Sequence, residues 1–390
     1  MLACSPPLPL VIDFENRDIT AEEERGTILA LQRRDRVRRI RFDLPVWKLQ
    51  KLIKAIDGEY PILEYLILMV PLEDKRMALT LPDTLQTPRL RHLLIDGPIS
   101  IRPPLLGTVG GLVNLYLALF HPSTYIQPAA LLQSLSLMPQ LEMLLIYLYF
   151  YFDVPDGNVE TQLMHTPIVA HATLLNLRFF ALQALSAYSE AVLSRITASH
   201  LQNFQLCYPM QPTFSVPQLM RFMERTENLK FDRAKFHFEG KRVYVGANPP
   251  EKNVSLDVFS IIVHCWPLDS QVSSLAQIFD ALGPRFSVVE HLTLAHQVHS
   301  LSSEEHNEVD RTEWRKFLRS FSNVKTLRVR RGLVEKLSRC LRLDDGEHPL
   351  EVLPELEELT YSGSGNANDA FSSFIDARQN AGRPVTLIKL

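Results

Sequence analysis

The chain has 390 residues, 46% of them hydrophobic and 22% charged, with 41 Lys and Arg against 44 Asp and Glu for a formal net charge of −3. So many apolar residues fill a large core, and the near balance of charge gives no general reason to expect nucleic acid or an anionic membrane as partner. Cys4, Cys207, Cys265 and Cys340 are scattered with no C-x-x-C pair, so neither a disulfide framework nor a zinc cluster is expected, and a reducing compartment fits: the cytoplasm, with the nucleus left open.

Met1 to Leu10 carries three prolines and no basic segment, unlike a secretory signal. Pro9 to Glu15 reads as a strand. Thr20-Ala-Glu-Glu23 spells a capping box and predicts a helix to about Gln32. A strand through Val37, Ile40 and Phe42 comes next, then a helix with Leu49, Leu52, Ile53 and Ile56 on one face. The longest apolar run, Met143 to Phe152, is too short to span a bilayer and reads as a buried strand.

Strand followed by helix is the unit of the whole chain. The pattern Leu-x-x-Leu-x-Leu, with Ile, Val, Phe or Tyr sometimes replacing Leu, opens at Val37, Leu63, Leu90, Leu112, Leu141, Leu177, Leu201, Val289, Val324 and Leu356. In each copy the first, fourth and sixth residues are expected to enter a shared core. One such strand cannot bury its apolar side alone, whereas stacked copies can. Proline two positions ahead of four copies (Pro61, Pro88, Pro139, Pro354) predicts an extended approach to the strand. Asn176, Asn228 and Asn323 suit the left-handed turn that ends many helices.

The pattern fails between Leu201 and Val289. Leu229 opens a copy, but Asp232 stands where the second buried residue belongs. Alternation of Phe236, Phe238, Val243 and Val245 around Glu239-Gly240 predicts an antiparallel hairpin, and a further strand is expected through Val254, Leu256 and Val258. Helical stripes return at Leu275, Ile278, Phe279 and Leu282 and at Trp314, Phe317, Leu318 and Phe321. Ser300 to Asp310 reads as a loop, Phe371, Phe374 and Ile375 as a helix, and Pro384 to Leu390 as a closing strand. The fold class expected is α/β: a curved, irregular leucine-rich-repeat-like solenoid, strands concave and helices outside, forming one domain over 1–390 with a hairpin-containing section at about 210–263.

The third, fifth and seventh positions of each copy then line the concave side. Tyr65, Ile67, Met69, His92, Leu94, Tyr116, Met143, Leu145, Tyr147 and Phe179 make an apolar and aromatic belt suited to a protein partner, unless other segments cover it as core. Arg328 and Arg330, with Arg331, form a basic cluster that suits an acidic or phosphorylated segment, and Arg33 to Arg41 hold a denser one. Nearby Asp35, Asp43 and Glu335 are able to offset both. His291, His296 and His299, and the pair His264-Cys265, lack metal-ligand spacing. Ser362-Gly-Ser-Gly365 lacks the first glycine of a nucleophile elbow, and no phosphate-binding glycine motif occurs. No cofactor, no metal and no enzymatic activity are expected.

Several stretches resemble the fungal, basidiomycete-type F-box proteins with degenerate leucine-rich repeats: Pro6 to Asp13, Arg34 to Ile40, Tyr60 to Leu66, Pro88 to Leu93 and Phe374 to Pro384. The resemblance implies the substrate-receptor part of an F-box type (SCF) ubiquitin ligase, which recognises a protein and binds neither nucleic acid nor membrane. Members carry an N-terminal F-box that docks on a Skp-type adaptor. Here Leu44-Pro-Val-Trp47 imitates only the first two residues of that signature, so the adaptor is expected to bind only through an F-box encoded upstream of Met1. The alternative is an interaction scaffold unrelated to ubiquitin.

Overall fold

The computed structural model describes residues 8–15, 19–71, 77–101, 103–149, 168–211, 213–249, 257–297, 311–343, 348–362 and 371–390. The protein is mixed α/β and divides into two compact units, Met1–Leu201 and Gln202–Leu390. The expected loop at 300–310, His299, the Gly-Ser-Gly of 363–365, and Val254 and Leu256 lie outside the described residues.

In the first unit, β1 (Leu10–Phe14), β2 (Val37–Asp43), β3 (Tyr65–Met69), β4 (His92–Gly97), β5 (Asn114–Leu119), β6 (Met143–Leu148) and β7 (Phe179–Gln183) lie side by side in chain order. Every neighbouring pair is parallel. Parallel neighbours need a crossover, and the crossovers hold α1 (Ala21–Leu31), α2 (Val46–Ala55), α3 (Pro103–Thr108) and α4 (Pro128–Ser136), with α5 (Ser186–Leu193) after β7. The capping box at the start of α1 is formed: the Glu23 amide donates to Thr20 Oγ1 at 3.2 Å and the Thr20 amide to Glu23 Oε2 at 2.8 Å.

Except at Val37, which opens β2, the first residue of each copy precedes its strand. The amides of Leu63, Leu90, Leu112, Leu141, Leu177 and Leu201 each donate to the carbonyl three residues earlier, at 3.0 to 3.3 Å. Pro61, Pro88 and Pro139 therefore occupy the second place of a four-residue turn, where a φ fixed near −65° fits; they give a turn and not the extended approach expected. Next, the second and third amides of a copy fork onto one carbonyl of the preceding copy, as Arg91 and His92 do onto Glu64. Turn and fork fix the register, and the first, fourth and sixth side chains of all ten copies are at most 2% exposed.

The second unit contains β8 (Asn203–Tyr208), β9 (Arg233–Glu239), β10 (Arg242–Asn248), β11 (Phe259–His264), β12 (His291–His296), β13 (Thr326–Arg331), β14 (Glu358–Ser362) and β15 (Thr386–Lys389). Their order is β8-β11-β10-β9-β12-β13-β14-β15. The β9–β10 and β10–β11 pairs are antiparallel and the rest parallel. The hairpin turns at Gly240-Lys241. Its helices are α6 (Pro217–Arg225), α7 (Leu268–Phe286), α8 (Arg311–Arg319), α9 (Val334–Leu341) and α10 (Ser372–Asn380).

β9 is a further copy of the repeat, two residues later than Leu229 suggests. Glu290 and His291 fork onto the Asp232 carbonyl, so Asp232 is a second position and Phe231, Ala234 and Phe236 are the first, fourth and sixth, each at most 5% exposed. Alanine in the middle place hides it from a search for large aliphatic residues. Rings then fill the core behind it: Phe236 meets Phe279, Phe317 and Phe321 at centroid distances of 5.4, 4.9 and 5.6 Å, and Phe279 meets Phe286 at 4.7 Å. At the C-terminal end the fully buried Arg378 donates to the carbonyls of Leu353, Pro354 and Leu356 at 2.9 to 3.2 Å, pinning the turn that leads into β14.

Candidate functional site

The parallel register turns the third, fifth and seventh positions into straight rows. In the first unit the rows run Arg39, Tyr65, His92, Asn114, Met143, Phe179; then Arg41, Ile67, Leu94, Tyr116, Leu145, Ala181; then Asp43, Met69, Asp96, Ala118, Tyr147, Gln183. All ten residues of the expected belt thus come together on one side of one sheet. Met143 is 40% exposed, and Tyr65, Ile67, Met69, His92, Leu94, Tyr116, Leu145, Tyr147 and Phe179 are half-buried.

Contacts along the rows hold these side chains in place. The Arg39 guanidinium lies 5.8 Å from the centre of the Tyr65 ring, Tyr65 stacks on His92 at 4.3 Å and 4°, and His92 Nδ1 is 2.9 Å from Asn114 Nδ2. Tyr116, Tyr147 and Tyr149 form a second cluster, with centroids 5.6 and 6.0 Å apart, and Phe120 stacks on Tyr149 at 4.3 Å. Burial pushes the Tyr116 hydroxyl well above its ordinary pKa, with nearby Asp96 adding to it, and burial holds the His92 imidazole below its own. Near neutral pH this side therefore offers neutral aromatic groups. The dense arginine cluster is largely spent on neighbours: Arg39 pairs with Asp13 at 3.4 Å, Arg41 with Glu15 at 2.7 Å and Arg38 with Glu64 at 2.9 Å.

The second unit uses the same rows for different chemistry. Its third-position row is Asn248, Arg233, His291, Thr326, Glu358, and its fifth-position row is Gly246, Lys235, Thr293, Arg328, Thr360. Together they line a groove of about 440 Å³. Its wall is built on Asp257, only 6% exposed, whose carboxylate accepts from Tyr244 and Asn248 and pairs with Lys235 Nζ at 3.0 Å. The Lys235 ammonium also lies 5.6 Å from the Tyr244 ring centre. Gly246 makes this possible, because a Cβ there would collide with Asp257 Oδ2 and come within 2.6 Å of Lys235 Cε.

Arg328 and Arg330 are exposed on β13, one in each of two adjacent rows; Arg328 lines the groove. His237, in the row with Arg330, is held below its ordinary pKa by burial and then by Lys235 and Arg330, with Glu239 and Asp257 pulling the other way. The third and fifth positions of the copies at Val289, Val324 and Leu356 put Thr293, Thr326 and Thr360 on this side, whereas Arg233, Lys235 and Asp257 belong to none of the ten copies. The signal lay in the disguised copy at Phe231, which sets Arg233 and Lys235 at third and fifth positions.

Among the described residues no group of three His, Cys, Asp or Glu is placed to hold a metal ion, and no helix is long and apolar enough to cross a membrane. No protein-family profile, curated protein or solved structure matches the chain. The protein is a mixed α/β chain whose repeated parallel strands present ordered rows of side chains.

Proposed function

We propose that the chain is a non-enzymatic protein-recognition module, a curved leucine-rich-repeat-like solenoid that grips a protein partner along the strand rows of its concave side, with its helices outside. One observation carries the reading: Tyr65, Ile67, Met69, Leu94, Tyr116, Met143, Leu145, Tyr147 and Phe179 share one side of the first sheet and stay partly open, a large apolar patch of the kind that marks interaction surfaces. Within that reading the module is the substrate-receptor part of an F-box type ubiquitin ligase, supported by the resemblance of its sequence segments, and partner capture requires neither nucleic acid nor membrane. An F-box encoded upstream then supplies the Skp-type adaptor contact.

The test reads the genomic sequence upstream of Met1 and expresses the chain with whatever that region encodes. Co-purification of a Skp-type adaptor and a cullin is the expected result. A partner recovered reproducibly without either one would make the protein an interaction scaffold outside the ubiquitin system.

A further inference from the structure

We infer that the groove of the second unit is a binding site for a phosphate monoester dianion. Three cations face it from two strands: Arg233 and Lys235 on β9 and Arg328 on β13. Adjacent strands lie about 4.8 Å apart, so the backbones of Lys235 and Arg328 stand roughly 10 Å from each other with Thr293 between them. A tetrahedral anion over Thr293 meets the guanidinium of Arg328 from one side, the ammonium of Lys235 from the other and a hydroxyl from below. These are the donors that such a group takes.

The cations are presented in two ways. Lys235 is held by the buried Asp257 carboxylate and lies near the Tyr244 ring. Arg233 and Arg328 are exposed, and no ion pair involves either of them among the described residues. His291 Nδ1 is tied to Thr326 Oγ1 at 2.7 Å, which leaves Nε2 as the ring's other polar atom on the groove. Two carboxylates subtract from the field: Asp257 beneath Lys235, and Glu358 at the far end, which accepts from Thr360 Oγ1 at 2.8 Å. A doubly charged phosphate is favoured over a carboxylate because it carries more oxygens and charge for the same three cations. Glu358 in turn leaves an acceptor for an N–H or O–H beside the phosphate. The site rests on this groove; only the idea that the phosphate belongs to a protein segment rests on the recognition reading above.

The experiment is titration of the full chain with inorganic phosphate by isothermal calorimetry, with acetate at matched ionic strength as control. The comparison is with a doubly substituted protein, Arg233→Gln with Arg328→Gln, and with Arg221→Gln, an exposed residue of α6 outside the groove. Circular dichroism checks that each remains folded. Phosphate binding that acetate does not reproduce, that falls by about tenfold or more in the double variant and that survives in Arg221→Gln is the expected result. No phosphate binding, equal binding of acetate, or equal affinity in all three proteins overturns the site. A phosphoserine-containing peptide library binding more tightly than phosphate assigns the source to a protein; weaker binding assigns it to a small soluble phosphate. Phosphate binding that depends on Arg233 and Arg328 would stand even if the adaptor and partner experiments above failed, so the two failures are separable.

Discussion

The first unit's covered side is mostly aliphatic, with Phe42 and Phe180 the rings among its repeat positions, and its other side shows rings, while the second packs more rings inside and shows Arg, Lys, His and Thr. Leu68, Ile95, Leu117 and Ile146 stand where the second unit has Phe236 backed by Phe279, Phe317 and Phe321. Both solutions bury the same three positions of the repeat. The repeat thus constrains volume on one side of the strand and leaves the third, fifth and seventh positions free to vary in chemistry. In the first unit they carry neutral aromatic contact area and in the second a polar, cationic groove.

If that division holds, the largest effects belong inside. Phe279→Ala removes a ring that touches four others and should cost about 3–5 kcal/mol in denaturant unfolding. Arg378→Leu strands three carbonyls that the guanidinium now satisfies and should cost about 3 kcal/mol, read the same way. Gly246→Ala should cost about 1–3 kcal/mol by overpacking against Asp257 and Lys235, with the loss absent when Asp257 is replaced by Ala in the same protein.

The cysteines sharpen the picture through pH. Burial pushes the thiols of Cys207 and Cys340 up to about 12 and that of Cys265 up to about 11. Each folded pKa is raised above its unfolded value, so this contribution to stability is complete below about pH 9 and is lost as pH climbs toward 11 to 12. At pH 8 none of these three should react with iodoacetamide in the folded protein, and all should react in denaturant. Rapid native labelling of any one would place it outside the core.

Most of this frame is legible in the chain because the repeat is written in large aliphatic residues. The strand of each copy begins at or just after its opening residue, the capping box at Thr20 is formed, and the stripes Leu275 to Leu282 and Trp314 to Phe321 are buried on α7 and on α8, with Phe321 just past the end of α8. What escaped was the copy at Phe231, since Ala234 is too small to register as a core position, and the strand Phe259–His264, whose Ser260 breaks an apolar run. Asp257 and Lys235 were illegible for a different reason: they meet through pairing of β9, β10 and β11, and separation along the chain gives no hint of that. The prolines were visible, but their role in a turn depended on the hydrogen bond closed by the residue two places later.

The most direct measurement concerns the first unit's rows. Tyr116→Ala combined with Tyr147→Ala removes two neighbouring half-buried rings. If those positions are a binding side, the variant melts cooperatively within about 2 °C of the parent, a shift on the order of 1–2 kcal/mol for a chain this long, and loses the partner that the parent retains. A variant that loses its cooperative melt, or that stays folded and holds the partner undiminished, would contradict the account.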